Sequence, residues 1–358
     1  MSQAAAQHLR LQAIKLMQAG DFTRAEAQIR AAISLAPGAP ILHLEHGQIF
    51  EQQNNVDAAT RAYYRAVMKA RAKGLWLDDA SVPPQVLPQV LHAMEFVEKH
   101  RNNVLHALLD PLYAQFGKAE LKRVTQALNI YLGLDQSRPA SPHQRPLFMY
   151  VPGLTETPFV DAKRFDWISL ALDARAAIAA EARVVFANRQ GIVPFLQAAP
   201  GTDLSPYLAG DQAQWDAHFF YRHGEPHTEN LNASPATASL LAKIGLVRIA
   251  EHAPEICFSA LTPGSHILPH TGVTNLRLVA HLPLVLPQDC VLKVAGIERG
   301  WKLDEVLVFD DTFEHEAWNH SDQTRIILLM DVWHPDLTVP ERIALNELIE
   351  EIGYFNRG

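Results

Sequence analysis

The clearest hydrophobic pattern lies in the C-terminal half of the chain, where short apolar runs alternate with turn residues. The runs are rich in Val, Ile, Leu and Phe, and Gly, Pro, Asp and Asn bound them. This composition and length favour β-strands. The predicted strands span 256–261, 276–286, 290–294, 305–309 and 324–332. Several strands at such close spacing predict a small barrel or a jelly roll.

The N-terminal part of the chain has helical spacing and an internal repeat. Predicted helices span 5–18, 22–35, 40–53 and 56–73. Gly20 and Asn54 lie 34 residues apart, and so do Ala25 and Ala59. That period is typical of tetratricopeptide repeats. Because two repeats bury too little surface alone, we expect the helical stretch 84–134 to pack on them.

The remaining segments complete an α+β prediction. We expect strands at 146–154 and 213–222, a surface helix at 167–184, and helices at 234–244 and 340–352. A polar, proline-rich stretch at 136–145 predicts a linker. The expected domains are therefore a helical repeat domain with capping helices at 1–135 and a second domain at 146–358. The helical domain is either a peptide- or protein-binding groove or a cap that orients its neighbour, and the sequence favours neither.

Length, charge and cysteine content narrow the function classes. A chain of 358 residues predicts two domains, and a formal net charge of −8 argues against a general nucleic-acid or anionic-membrane binder. The two cysteines, Cys257 and Cys290, lie in predicted apolar strands and cannot form a disulfide framework or a thiolate zinc site. No secretory signal or membrane span is visible. These features predict a soluble, cytoplasmic protein.

Two histidines at predicted strand ends are candidate metal ligands. His270 and His315 are 45 residues apart, so only the fold can bring them together. Imidazole suits Fe, Zn and Cu, and non-haem iron oxygenases commonly add a carboxylate two residues after the first histidine. Gly272 occupies that position here and cannot ligate. Since the chain has 17 histidines, spacing alone favours ordinary surface or core histidines.

The residues around this pair resemble the aspartyl/asparaginyl β-hydroxylase family over about 147–337. The matching segments are Pro-His-Thr-Gly at 269–272, Asn-Leu-Arg-Leu at 275–278, Phe-Asp-Asp-Thr-Phe-Glu-His-Glu-Ala-Trp-Asn at 309–319 and Asp-Val-Trp-His-Pro at 331–335. The resemblance implies an Fe(II)- and 2-oxoglutarate-dependent dioxygenase with a double-stranded β-helix (jelly-roll or cupin-like) domain at 146–358, preceded by helical repeats. It also implies a two-histidine iron site, in which glycine at position 272 is ordinary.

The resemblance assigns roles to four residues of this chain. His270 and His315 resemble the iron ligands. Arg325 resembles the arginine that pairs with the distal carboxylate of 2-oxoglutarate, a role for which the planar guanidinium fork is well suited. Ser259 resembles a hydroxyl that assists at the same carboxylate.

The metal-chelating end of the cosubstrate is less clear. His281 resembles a histidine near that end, but Val279 stands where animal members of the family have an arginine. Arg277 points to the same strand face as position 279 and is a candidate substitute. Asp310 and Asp311 are interpreted as turn residues whose side chains bind backbone amides.

Several functions follow from the resemblance. The leading hypothesis is hydroxylation of the β-carbon of Asp or Asn in a peptide or protein, with the helical domain helping to present the substrate. Alternatives are the same chemistry on a small molecule or lipid acyl chain, and halogenation with chloride at the vacant ligand position. A non-enzymatic repeat scaffold is the remaining alternative.

Overall fold

A computed structural model describes residues 2–196, 207–210 and 212–357. The chain divides into two compact units, Met1–Gln115 with Leu348–Gly358, and Phe116–Glu347. These limits differ from the predicted domains, because residues 116–135 join the second unit and the last residues join the first. The predicted linker is also anchored at its end. Gln144 is 3% exposed, and its amide donates to Asp310 Oδ2 at 3.0 Å.

The first unit consists of helices. They are α1 (Ser2–Gln18), α2 (Phe22–Leu35), α3 (Pro40–Gln52), α4 (Val56–Arg71), α5 (Leu87–Ala107), nearly all of α6 (Asp110–Phe116), and the last turns of the chain's C-terminal helix. Helix α1 packs against α2, α3 against α4, and α4 against α5. The predicted helices of this region are confirmed to within a few residues.

The 34-residue period has a structural meaning at each helix junction. Gly20 and Asn54 both adopt positive φ, +78° and +58°, which ends one helix so that the next can turn back. The following residues, Asp21 and Asn55, cap α2 and α4 by accepting backbone N–H groups. The alanines that repeat in α2 and α4 are fully buried. The period therefore marks repeated helical hairpins, and their assignment as tetratricopeptide repeats stays a prediction.

One face of α4 is covered by the C-terminal end of the chain. This end of the chain is the last part of helix α11 (Val339–Arg357). Phe355 is 0% exposed and its ring lies 4.7 Å from that of Tyr64. Glu351 accepts a hydrogen bond from Arg61 at 3.4 Å. The chain's own C-terminal helix thus occupies this part of the helical surface.

The second unit is built on two antiparallel sheets flanked by helices. Over the described residues, the larger sheet has the order β1-β11-β8-β13-β6-β4-β2 with β5 paired to β4, and the smaller has the order β10-β9-β12-β7-β3. The strands are β1 (Phe159–Val160), β2 (Val193–Pro194), β3 (Leu208–Ala209), β4 (Trp215–Arg222), β5 (Glu225–Pro226), β6 (Ile256–Leu261), β7 (His266–His270), β8 (Arg277–Val285), β9 (Cys290–Val294), β10 (Ile297–Gly300), β11 (Leu307–Phe309), β12 (His315–Asn319) and β13 (Arg325–Trp333). The helices are α7 (Lys122–Tyr131), α8 (Ile168–Asn188), α9 (Thr228–Ala233) and α10 (Pro235–Leu241).

Successive strands from β6 to β9 alternate between the larger and the smaller sheet, and so do β11, β12 and β13. Each sheet therefore receives strands from distant parts of the sequence. The outer core packs α8 and α10 against the larger sheet. Among the described helices, none combines the length and the apolar character needed to cross a membrane.

One element prediction is wrong. The segment 146–154 is not a strand and pairs only through the isolated bridge of Met149 with Thr274, since Pro146 and Pro152 lack the N–H donors of a regular ladder. Helix α8 is the predicted surface helix: Ile178 and Ala182 are buried in the core, whereas Val184 on its outer face is exposed. Strands β7 and β12, which carry the two candidate histidines, were not predicted as strands.

Candidate metal centre and anion site

The two candidate metal ligands come together by direct strand pairing. His270 ends β7, His315 begins β12, and the two residues are partners in the antiparallel register. Their ring centroids lie 4.0 Å apart. The 45-residue separation in sequence is therefore closed within the smaller sheet.

Backbone carbonyls fix both imidazole rings in the same way. His270 Nδ1 lies 2.8 Å from Leu268 O, and His315 Nδ1 lies 2.9 Å from Phe313 O. Because a carbonyl only accepts, each Nδ1 carries the proton, and each neutral ring keeps an Nε2 lone pair for a metal. Burial, followed by the proximity of His270, lowers the pKa of His315 to about 4. Its neutral form, which is the ligating form, therefore dominates at neutral pH.

A carboxylate lies beside the pair, at the position that the sequence leaves vacant. A Cβ at Gly272 would overlap the carboxylate of Asp311, so glycine makes room for that group. Asp311 Oδ1 is buried without a hydrogen-bond partner. Across the described residues, no cluster of three or more His, Cys, Asp and Glu side chains has metal-binding geometry. The centre is thus a histidine pair with an adjacent carboxylate.

Arg277 is held by two carboxylates. It lies 3.0 Å from Asp311 Oδ2 and 2.9 Å from Asp331 Oδ1. Asp331 is buried, and its other oxygen accepts the backbone N–H of Glu255 at 2.8 Å. Arg277 therefore lines the cavity, as predicted for its strand face, but its charge is already balanced. Asp310 accepts the Thr312 amide as expected of a turn residue, whereas Asp311 binds this arginine instead.

Arg325 has the opposite environment. It is 1% exposed at the start of β13, and its Nε has no hydrogen-bond partner. Within the part of the chain that the structure describes, no carboxylate lies within ion-pair distance of this guanidinium. Its neighbour is the ring of Trp301, 5.0 Å away. Burial lowers the pKa of Arg325 to about 10. A buried, unpaired cation is unfavourable, so this end of the cavity is suited to an anion.

Strand register places Ser259 and His281 on the same face of the sheet as Arg325. Ser259 pairs with Ile327 and His281 pairs with Leu329. Because Ile327 and Leu329 follow Arg325 on β13 at steps of two residues, all these side chains face the same side of the sheet. Trp215 donates its indole N–H to Ser259 Oγ at 2.9 Å, and Trp301 donates to His281 Nδ1 at 3.3 Å. Burial lowers the pKa of His281 well below its ordinary value.

All six predicted site residues line one cavity of about 220 Å³. Its remaining wall is mostly apolar, with Ile267, Leu292, Phe309, Ile327 and Leu329. Sequence reasoning missed four polar participants, namely Trp215, Trp301, Asp311 and Asp331. Trp215 lies in a predicted aromatic strand and Asp311 in a predicted turn, but neither signal pointed to the cavity.

A cavity that joins a histidine pair to an unpaired arginine, between two antiparallel sheets, defines a candidate metal- and carboxylate-binding domain. Residues 173–335 match the family model described as Aspartyl/Asparaginyl beta-hydroxylase. Residues 173–335, less than half of the chain, are therefore similar to the aspartyl/asparaginyl β-hydroxylase family, and so are the curated relatives by name.

Relatives with different names are similar to this chain. The aspartyl/asparaginyl beta-hydroxylase of Mus musculus is 37% identical over 38% of this chain and 18% of the relative, so the chain spans less than a fifth of that protein. The ornithine lipid ester-linked acyl 2-hydroxylase of Rhizobium tropici is 31% identical over 53% of this chain and 65% of the relative. A solved Pseudomonas putida prolyl-4-hydroxylase has a TM-score of 0.28 at 17% identity, covering 46% of this chain and 87% of that structure.

Proposed function

We propose that this protein is an Fe(II)- and 2-oxoglutarate-dependent hydroxylase whose catalytic domain is a double-stranded β-helix. The observation that carries the proposal is the combination of His270, His315 and Arg325 in one cavity. The paired rings offer two Nε2 lone pairs, and the unpaired guanidinium calls for a carboxylate. A dicarboxylate cosubstrate beside a histidine-bound metal satisfies both requirements.

Each group of the cavity then has a distinct task. His270 and His315 would hold the iron, and Arg325 with Ser259 would bind the distal carboxylate of 2-oxoglutarate. With iron and 2-oxoglutarate bound, O2 would be the oxidant: one of its oxygen atoms would convert a C–H bond into C–OH, and the other would enter succinate as 2-oxoglutarate loses CO2. The apolar wall excludes water, and Asp311 Oδ1 is available to accept a hydrogen bond beside the histidines. A carboxylate at this position also disfavours chloride, which weakens the halogenation alternative.

The substrate we propose is an Asp or Asn residue of a peptide or protein, hydroxylated at its β-carbon. The family and the names of its Mus musculus and Homo sapiens members support this choice. Arg277 is a poor receptor for an acidic side chain, because Asp311 and Asp331 already balance its charge.

A lipid acyl chain is the second candidate substrate. The acyl 2-hydroxylase of Rhizobium tropici aligns over 53% of this chain, against 38% for the Mus musculus relative. The mostly apolar cavity wall also suits an acyl chain.

The role of the helical unit follows from its covered surface. Packing of Phe355 and Glu351 on α4 favours a cap over an open peptide groove on that face. Presentation of a protein substrate by tetratricopeptide-like repeats would have to use the other helical faces. A cytoplasmic location stays a prediction.

The test is anaerobic reconstitution with Fe(II) and 2-oxoglutarate, followed by O2. We expect a metal-to-ligand absorption band and slow succinate formation in the wild type, both lost in His315→Ala. His266→Ala is the matched control, because His266 lies on the same strand as His270 but pairs with Glu316 at 3.0 Å. If the wild type fails to bind iron, the proposal is wrong and the scaffold alternative is favoured.

The same assay separates the two substrate classes. An Asp or Asn peptide should stimulate succinate formation and gain 16 mass units if the leading proposal is correct. Stimulation by an acyl lipid, without any by peptides, would instead establish the second candidate.

A further inference from the structure

Two tryptophans contact three residues of the cavity, Ser259, His281 and Arg325. Trp215, on β4, donates its indole N–H to Ser259 Oγ at 2.9 Å. Trp301, directly after β10, donates to His281 Nδ1 at 3.3 Å and places its ring 5.0 Å from the Arg325 guanidinium. The ring of Trp215 is itself held by Phe195, with centroids 3.9 Å apart and an interplanar angle of 5°.

An indole N–H can only donate, and this fixes the protons on its partners. His281 Nδ1 has to accept, so in the neutral ring the proton sits on Nε2. Ser259 Oγ also accepts, which leaves its hydroxyl proton to be donated elsewhere. Neither Ser259 nor His281 donates to another group within the described residues. Both therefore have one remaining donor and line the same cavity as Arg325.

The contact of Trp301 with Arg325 has a second consequence. An aromatic face attracts a cation without neutralising it, so the guanidinium is packed and yet keeps its charge for a ligand. Arg277 shows the alternative in the same cavity, where two carboxylates balance the charge. An arginine that must bind a carboxylate needs an uncharged neighbour of this kind.

We infer that Trp215 and Trp301 are positioning residues, which leave the Ser259 hydroxyl and the His281 Nε2–H as donors beside Arg325 and thereby favour a carboxylate of the cosubstrate. This inference rests on the proposed use of 2-oxoglutarate. The tryptophans act through Ser259, His281 and Arg325 and do not need to touch the cosubstrate themselves. The selectivity arises because a carboxylate can accept from all three groups, whereas a group that offers its own donors would meet the Arg325 cation and, among these three groups, only the second lone pair of Ser259 Oγ.

The first test needs no substitution. In metal-free wild-type protein, 15N NMR of the His281 ring should report a proton on Nε2. A proton on Nδ1 would overturn the inference, whether or not the protein binds 2-oxoglutarate. This measurement is therefore independent of the proposed function.

The second test is Trp301→Phe, which keeps an aromatic ring beside Arg325 but removes the N–H. With Mn(II) in place of iron to prevent turnover, calorimetry should show 2-oxoglutarate binding weakened about tenfold. The His281 tautomer should become mixed, with little change in the urea midpoint. Trp318→Phe is the control, because Trp318, on β12, stacks on His266 of β7 and, among the described residues, contacts neither His281 nor Arg325.

The outcomes separate the two ideas. Wild-type affinity in Trp301→Phe, together with an unchanged tautomer, would overturn the inference while leaving the proposed function intact. No 2-oxoglutarate binding by the wild type would overturn the proposed function, and the dicarboxylate role of the tryptophans with it.

Discussion

Replacing Arg325 with Met should stabilise the ligand-free protein and abolish its response to 2-oxoglutarate. In the folded state, burial lowers the pKa of Arg325 to about 10, well below its ordinary value. Because the folded pKa is the lower one, folding disfavours the charged form at every pH below about 10. Burying the charged guanidinium therefore lowers the free energy of unfolding by about 3 kcal/mol at neutral pH. Loss of the attraction to Trp301 offsets about 1 to 2 kcal/mol, so the net gain should be about 1 to 2 kcal/mol.

Urea unfolding with and without ligand measures both effects. Saturating 2-oxoglutarate with Mn(II), at about 100 times Kd, should stabilise the wild type by about 2.7 kcal/mol and should not stabilise the variant beyond the effect of metal alone. Arg299→Met is the matched control. Arg299 also lies over an aromatic ring, 4.4 Å from the centroid of Phe159, but it is exposed. Its replacement should change stability by less than about 0.5 kcal/mol.

Two results would refute this reasoning. A ligand-free Arg325→Met protein that is less stable than the wild type would mean that the guanidinium is satisfied in the absence of ligand. A variant that keeps the full response to 2-oxoglutarate would mean that the anion binds elsewhere in the cavity.

Three further predictions concern Gly272, the C-terminal helix and acid stability. Gly272→Ala should displace the Asp311 carboxylate and lower the free energy of unfolding by about 1 to 3 kcal/mol. It should also weaken Co(II) binding measured by calorimetry, and unchanged binding would contradict this prediction. Phe355→Ala should lower the unfolding free energy by about 3 to 5 kcal/mol, while Tyr354→Ala, at an exposed position, should change it by less than about 1 kcal/mol. Burial lowers the pKa of His46 to about 4 from 6.5, so the folded state binds this proton more weakly than the unfolded state does. The neutral ring therefore contributes about 1 to 3 kcal/mol to the free energy of unfolding above pH 6.5, and this contribution should disappear as pH falls to about 4. His46→Gln should flatten that part of the stability profile, and an unchanged profile would count against it.

The sequence predicted long strands with several buried apolar residues and missed β12, whose buried positions are polar or small. β6 and β9 were predicted at their observed limits. In β12 the buried residues are His315, Ala317 and Asn319, so the two-residue alternation exists but has no hydrophobic signal. Asn319 is tolerated there because its amide donates to Leu261 O at 2.8 Å. This hydrogen bond depends on a partner 58 residues away in sequence, so the residues around Asn319 do not reveal it.

The site could be predicted as a set of residues but not as an electrostatic arrangement. Motif resemblance singled out Arg325, and strand alternation correctly put Arg277 and Val279 on one face. The charge of Arg277 is balanced because of the register between β8 and β13. In this register Asp331 pairs with Val279, two residues from Arg277 on the same strand face, and so comes within ion-pair distance of it. That register is set by the whole sheet, so local sequence does not reveal it.

The two arginines of the cavity have opposite surroundings, and this difference bears on substrate recognition. Arg277 is balanced by Asp311 and Asp331, whereas Arg325 has only an indole ring beside it. In a buried site, an anion gains most from the cation that lacks a partner. A carboxylate should therefore bind at Arg325, which is the proposed cosubstrate end. A substrate recognised through Arg277 would first have to displace one of its carboxylates, whereas a neutral amide or an acyl chain requires no such exchange.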